Sequence, residues 1–270
     1  MNVETLRAKF ARMGARLRLH DLMQIENPRG NQSLALDIRS DEEGEFFDIR
    51  VRHGAKVDLE VVDVRRREQH LLLASRESNG QHMYLCGHDE LHWFVAAIPE
   101  RVAGVNSVFR AMEALKPGEV LEAQRRQGIK GKDLLRRKNA AYVRQGEWFF
   151  LPMPKLHVDK SLIVENEPLS RGIGSKPHLA QFLYRKGGEQ VYVCDDYPQG
   201  LEKAKYLDLI QSRPRTKAWN WRIMWRNPTA YVKGSISHPD HKTIWLHVWH
   251  KVLMNTEGES EAMRSVAFLD

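Results

Sequence analysis

Residues 33–54 read SLALDIRSDEEGEFFDIRVRHG, and this stretch decides the fold class. Apolar side chains occupy every second position from Leu34 to Ile38 and again from Phe47 to Val51, on either side of an Asp-Glu-Glu-Gly turn. A period of two places successive side chains on opposite faces of a β-strand. The stretch therefore predicts a hairpin of antiparallel strands.

The same alternation continues to Pro99, with glycine-bearing turns that separate short strands. This spacing predicts an antiparallel meander that ends in a more fully buried strand over 93–98. An amphipathic helix is expected before it, because Leu6, Phe10, Met13 and Leu17 share one face at helical spacing.

Residues 105–140 lose the alternation and predict two helices, the first capped by Asn106 or Ser107 and the second over 119–127. Strands then return, with one further helix over 200–211. We predict an α+β fold of mainly antiparallel strands in two strand-rich lobes. The expected parts are an N-terminal helix plus meander (1–104), a helical basic connector (105–140) and a C-terminal β-rich lobe (141–270).

The composition is that of a globular protein: of 270 residues, 42% are hydrophobic and 29% are charged. No apolar run approaches the roughly 20 residues that a membrane-spanning helix needs. Two cysteines, Cys86 and Cys194, do not make a disulfide framework, which favours buried free thiols and a cytoplasmic location.

Positive charge is clustered, which indicates nucleic acid as the partner. The net charge is +7, and residues 125–144 hold eight lysines and arginines against a single acid, Asp133. A second basic stretch, 213–226, contains Trp219, Trp221 and Trp225, whose indoles are suited to stacking on unpaired bases. The candidate nucleic-acid-binding residues are Arg125, Arg126, Lys130, Lys132, Arg136, Arg137, Lys138, Arg144, Arg222, Arg226 and Trp221.

The basic stretches and the three tryptophans also have a purely structural interpretation. Three tryptophans on one strand face are commonly core residues, and runs of charge are commonly solvated surface. Under this interpretation the protein is a non-enzymatic protein-interaction module.

The 12 histidines gather in two groups, one at 88–92 and one around 238–241. Neutral imidazole suits a divalent metal such as Zn²⁺ or Mn²⁺, and the candidate ligands are His88, His92 and His241. The candidate catalytic residues are His238, Asp240 and His241, in which a carboxylate orients an imidazole that acts as general base. The alternative is that Pro239 and Asp240 only shape a tight hairpin turn.

Two segments carry a resemblance: YVRQGEWFF at 142–150 and HPDHKTI at 238–244, with Trp249-His250 and Asn255-Thr256-Glu257 beyond. They resemble segments of uncharacterised bacterial hypothetical proteins, a resemblance that implies no activity, fold or site. The stretch around 238–241 is also similar to the histidine block of Hint (hedgehog/intein) self-processing modules. The chain lacks that pattern's opening nucleophile and terminal His-Asn pair, so no residue roles are transferred.

The leading hypothesis is a basic cytosolic protein that binds nucleic acid and carries a histidine-based phosphodiester-processing activity. The alternatives are a metal-dependent hydrolase acting on another substrate, and the interaction module described above.

Overall fold

The computed structural model describes residues 3–22, 33–78, 80–170 and 176–261. It is an α+β structure with mostly antiparallel sheets, which confirms the predicted fold class. The helices are α1 (Val3–Arg12), α2 (Val108–Ala114), α3 (Gly118–Arg126) and α4 (Lys203–Ser212). The strands are β1 (Leu17–Leu22), β2 (Leu34–Asp41), β3 (Gly44–Arg52), β4 (Asp58–Arg65), β5 (His70–Glu77), β6 (Gly80–Asp89), β7 (His92–Ala97), β8 (Val143–Gln145), β9 (Trp148–Pro152), β10 (Val164–Leu169), β11 (His178–Lys186), β12 (Glu189–Cys194), β13 (Tyr197–Glu202), β14 (Arg222–Arg226), β15 (Thr229–His238) and β16 (His241–Met254).

The N-terminal half contains two sheets around one core. The β2–β3 hairpin and the β4–β7 meander form as predicted, but they belong to separate sheets, ordered β1-β3-β2 and β4-β5-β6-β7. The apolar side chains of both sheets and of α1 pack into one buried cluster that includes Phe10, Phe47 and Tyr84. This half is therefore a layered β structure closed by the N-terminal helix.

The predicted helical position of Leu17 is wrong. The helix ends at Arg12, Gly14 follows with a left-handed φ of 91°, and Leu17 begins β1, which runs parallel to β3. Glycine adopts this φ at little cost and so redirects the chain. Leu17 and Leu19 both contribute to the core as alternate residues of the new strand.

The segment 105–140 contains α2, α3 and the short 3₁₀ helix Gly131–Leu135, so the two predicted helices are present. Ser107 caps α2, because its side chain accepts a hydrogen bond from the Arg110 N–H at 3.3 Å. Helix α2 packs Val108 and Ala111 into a second apolar cluster behind the β4–β7 sheet.

Replacing Ser107 with alanine is expected to lower the free energy of unfolding by about 1 kcal/mol, because one N–H of the first turn loses its acceptor. Urea denaturation of the two proteins measures the difference. An unchanged midpoint would contradict the capping role.

The C-terminal half is built on a six-stranded sheet ordered β10-β11-β15-β16-β9-β8. At one end of the long β11 and β15 strands the chain passes into a small three-stranded sheet, β13-β12-β14, which we call the small lobe together with α4 (residues 189–226). At the other end lie His178 and the β15–β16 turn. The two ends are separated by the eight residue steps of β11, roughly 26 Å at a strand rise of about 3.3 Å.

The predicted strand over 219–225 is only partly correct. Residues Pro214–Ala218 form a 3₁₀ helix and β14 begins at Arg222, so Trp219 and Trp221 precede the strand and do not share its face with Trp225. Pro214 within this segment favours the helical turn. Among the described residues, no helix is long and apolar enough to cross a membrane.

Candidate metal centre

Three histidines from separate parts of the chain meet at one end of the six-stranded sheet. His178 begins β11, His238 ends β15 and His241 begins β16. Leu179 pairs with Ser237 between β11 and β15, and His238 pairs with His241 across the β15–β16 turn. These two registers place the three imidazoles side by side.

The three rings are stacked. The ring centroids of His178 and His238 are 4.2 Å apart, those of His238 and His241 are 4.8 Å apart, and those of His178 and His241 are 5.6 Å apart. One possible ligand atom from each ring lies within 4.8 Å of the other two. Two nitrogens on a tetrahedral zinc ion are about 3.4 Å apart, given Zn–N bonds near 2.0–2.1 Å. Ring rotation would have to bring the three ligand atoms from within 4.8 Å of one another to this shorter spacing.

The pKa of each of the three imidazoles is lowered, which favours the neutral form. Burial, together with the neighbouring His238 and His241, lowers the pKa of His178 to about 3. Burial is also the main cause that lowers the pKa of His238 and that of His241. A neutral imidazole keeps the lone pair that a metal ion requires.

Several buried polar atoms around the histidines have no hydrogen-bond partner within the described part of the chain. These atoms are both ring nitrogens of His178, Nδ1 of His241, Oε1 of Gln145 and Nε1 of Trp148. His178 and Gln145 are each only 1% exposed. An unsatisfied buried polar group costs about 1–3 kcal/mol, so this concentration of unsatisfied atoms points to a bound species.

His238 is the one of the three histidines whose two ring nitrogens both have partners. Its Nδ1 accepts a hydrogen bond from the Asp240 N–H at 3.1 Å, and its Nε2 lies 3.3 Å from the carbonyl oxygen of Lys176. A metal at Nε2 would replace the second, longer contact. In the described part of the chain, Nδ1 of His241 and both ring nitrogens of His178 have no hydrogen-bond partner, so these two imidazoles are the more available for a ligand.

Gly146 keeps a space open beside the rings. It lies in the β8–β9 turn with a left-handed φ of 56°. A Cβ atom at this position would be 2.9 Å from Nε2 of His241 and 3.6 Å from Nε2 of His178. The Nε2 atoms of both histidines therefore border the same small space, which any side chain at 146 would fill.

The N-terminal half supplies a carboxylate to this site. Glu90, at the tip of the β6–β7 turn with φ 52°, accepts a hydrogen bond from the Lys242 N–H at 2.8 Å. Its Oε2 lies 3.7 Å from Nδ1 of His241, and its other oxygen pairs with Arg137. A carboxylate behind a histidine ring is the arrangement that commonly orients a metal-bound imidazole.

A second carboxylate lies on the hairpin turn itself. Asp240 pairs with Lys176 at 2.6 Å, and its other oxygen is 3.7 Å from Nε2 of His92. Burial opposes ionisation, but the contacts with Lys176 outweigh it and lower the pKa of Asp240. An open cleft at this edge is lined by Glu90, Leu91, Arg137, Pro239, Asp240, His241 and Lys242.

The structure places the predicted metal ligands in different settings. His241 belongs to the three-histidine group, whereas His88 packs edge-on against Trp93 with ring centroids 4.8 Å apart. His92 donates a hydrogen bond through Nδ1 to the Glu45 carboxylate, 2.6 Å away. His178 was missed because it is 60 residues from His238 in the chain, and only the β11–β15 pairing brings the two together.

The predicted catalytic residues His238, Asp240 and His241 do lie together on the β15–β16 hairpin. Their expected contacts differ, however, because the carboxylate within 4 Å of the His241 ring is Glu90, while Asp240 is bound to Lys176. Sequence alone carries no signal for Glu90, since it is contributed by the other half of the molecule.

Acids neutralise half of the basic stretch at 125–144. Arg137 pairs with Asp89 and Glu90, and Arg144 lies 3.7 Å from Asp89. Arg136 pairs with Asp133 at 2.9 Å, and Arg126 lies 3.8 Å from Glu122. The other four candidates are exposed and have no acid within 4 Å in the described ranges: Arg125, Lys130, Lys132 and Lys138.

The candidates at 213–226 lie at the opposite end of β11 and β15. Arg226 pairs with Glu189 at 2.5 Å, while Arg222 is exposed. Trp221 is half-buried, and its indole N–H donates to the carbonyl oxygen of Thr216 at 2.8 Å. The two basic stretches therefore do not form one continuous surface.

Comparisons with known proteins give no relatives: no protein-family model, no curated protein and no solved structure matches this chain.

Proposed function

We propose that His178, His238 and His241 bind one Zn²⁺ ion and that the protein is a zinc-dependent hydrolase. The observation that carries this proposal is the convergence of three imidazoles, of which His178 and His241 have buried ring nitrogens without a hydrogen-bond partner in the described part of the chain. Zinc is favoured over manganese because all three ligands are nitrogens, whereas manganese prefers oxygen ligands.

Three protein ligands suit a catalytic site. A tetrahedral zinc ion held by three histidines retains one position for water, and such a water ionises near pH 7. His241 lies both in the histidine group and in the wall of the open cleft, which gives a substrate a path to the metal. Asp240, which lies in that wall and is paired with Lys176, is the carboxylate of the histidine hairpin that would orient the attacking water.

The first test is metal stoichiometry. The full chain, dialysed against Zn²⁺ and then against metal-free buffer, is expected to retain one zinc per molecule by elemental analysis. His178→Ala and His241→Ala are expected to lose it, and His238→Ala to bind more weakly because the wild-type His238 nitrogens already have partners. His157→Ala, which removes an exposed histidine elsewhere, is the matched control.

The second test is turnover. The zinc-loaded protein is assayed with bis(4-nitrophenyl) phosphate and 4-nitrophenyl acetate, with Asp240→Asn as the variant expected to bind zinc but to hydrolyse slowly. A folded protein that retains no zinc would contradict the metal site. Retained zinc without hydrolysis of either compound would contradict the hydrolase and reduce the site to a structural one.

A further inference from the structure

The small lobe exposes an unusual amount of apolar and aromatic surface. Ile223 and Trp225 are each 60% exposed, Met224 is 49% exposed and Trp219 is 38% exposed. Helix α4 contains no buried residue, and Leu207 on it is also exposed. Ile223 and Trp225 share one face of β14, and exposed apolar residues grouped on one face commonly mark interaction sites.

Three rings of the lobe form an aromatic platform. The rings of Tyr197, Trp219 and Trp221 have centroids 5.9–6.3 Å apart and planes inclined by only 22–29° to one another. The hydrogen bond from Trp221 to Thr216 fixes the indole. The platform is therefore held in place before any ligand arrives, and the exposed part of Trp219 extends it to solvent.

The small lobe as a whole has seven lysines and arginines and five acids, a net charge of +2, and its positive charge is concentrated in residues 203–226. Between 203 and 226 there are seven lysines and arginines and one acid, Asp208. Arg226 and Lys205 have acidic partners. The remaining five are exposed and have no acid within 4 Å in the described part of the lobe: Lys203, Arg213, Arg215, Lys217 and Arg222.

We propose that the small lobe binds single-stranded nucleic acid, with unpaired bases stacked on Trp219 and Trp225 and phosphates held by Arg215 and Lys217. Exposed indoles among unpaired cations are the combination that single strands use, since every base has a stacking face and every linkage a negative charge. A duplex hides its base faces, and an acidic peptide has no flat ring to place on the platform.

This inference is independent of the zinc centre. The lobe and the histidines lie at opposite ends of β11 and β15, roughly 26 Å apart at a rise of about 3.3 Å per residue. Binding is therefore measured on metal-free protein and again on His241→Ala, and the same affinity is expected for both.

The test is fluorescence anisotropy of a labelled 12-nucleotide oligothymidylate between 50 and 200 mM salt. Wild-type protein is expected to bind with an affinity that falls steeply with salt. Trp225→Ala is expected to weaken binding about tenfold, since stacking of one base contributes roughly 1–3 kcal/mol. Lys217→Ala is expected to reduce the slope of log affinity against log salt by about 0.7, the value for one phosphate contact on a single strand.

Two controls match these variants. Trp245→Ala removes a tryptophan that is 64% exposed but lies on β16, outside the small lobe. Lys233→Ala removes an exposed lysine of β15. Both are expected to bind like wild type, and circular dichroism checks that every variant is folded.

Several results would overturn the proposal. They are no binding at 50 mM salt, equal binding of a 12-base-pair duplex, and displacement of the oligonucleotide by polyglutamate at the same charge concentration. Loss of affinity in a Lys130→Ala and Lys132→Ala protein with no change in Trp225→Ala would move the interface to the 125–144 stretch and would equally overturn it.

Discussion

A protein in which alanine replaces Gly146 is expected to fold and to bind zinc about 10- to 100-fold more weakly, an effect of the size seen when the support of a metal ligand is removed. The new Cβ would lie 2.9 Å from Nε2 of His241, closer than ordinary carbon–nitrogen contact, and 3.6 Å from Nε2 of His178. Glu90 lies 3.7 Å behind the ring on the side of Nδ1, so the ring is expected to relieve the contact by rotating, which would move Nε2 away from the proposed zinc ion.

The control for this variant is Gly131→Ala. Gly131 has nearly the same left-handed φ, 58° against 56°, but a Cβ there would meet no atom within 4 Å. Both alanines carry the same backbone strain, on the order of 1 kcal/mol, and only one of them touches the histidines. Isothermal titration with Zn²⁺ separates the two effects, and equal affinities in Gly146→Ala and wild type would show that the metal does not sit beside this glycine.

The metal-free protein is expected to lose stability as the pH falls from about 6.5 to 3. The pKa of His178 is lowered to about 3 in the folded state, so the unfolded chain takes up this proton first. Stability contributed by the neutral ring is complete above pH 6.5 and is lost progressively on acidification. At about 1.4 kcal/mol per pKa unit, the loss from this residue alone is on the order of 5 kcal/mol.

Replacing His178 with leucine tests the assignment. The variant has no ring to protonate and no unpartnered nitrogens, so its free energy of unfolding is expected to match or exceed that of the metal-free wild type at pH 7 and to fall much less at pH 4. Urea titrations at both pH values measure this, with His157→Leu as an exposed-histidine control. A wild type and a His178→Leu protein with the same acid profile would mean that His178 is not the buried group responsible.

Zinc is expected to raise the free energy of unfolding at pH 7, by an amount that urea titration measures and that falls on acidification because protons compete with the metal for the imidazole nitrogens. Free Zn²⁺ at 100 times its dissociation constant stabilises a protein by about 2.7 kcal/mol, provided that the unfolded chain does not bind it. The stabilisation should be absent in His178→Leu.

The strands and helices were largely predictable from local patterns. Alternation from Leu34 to Val51 predicted a hairpin that forms, and the turn at Pro239-Asp240 forms between His238 and His241. The errors fall where a single residue redirects the chain. Gly14 turns the chain out of the helix before Leu17. Pro214 begins a 3₁₀ helix, so the strand that was expected from Trp219 starts only at Arg222. Periodicity over a few residues does not report such changes of direction.

The candidate site was only half predictable. His238 and His241 are neighbours in sequence, and their two-residue turn makes them neighbours in space. By contrast, His178, Glu90 and Gly146 come from three distant segments and reach the site through the β11–β15 register, the β6–β7 turn and the β8–β9 turn.

Sequence by itself determined the antiparallel β-rich fold class, the helical connector, the buried thiols and the concentration of positive charge, because each depends on composition or on spacing within a few residues. Tertiary structure alone decided which histidines meet, which arginines are neutralised by acids and which tryptophans face solvent. Those outcomes depend on contacts between residues tens of positions apart, and strand register between distant segments sets them.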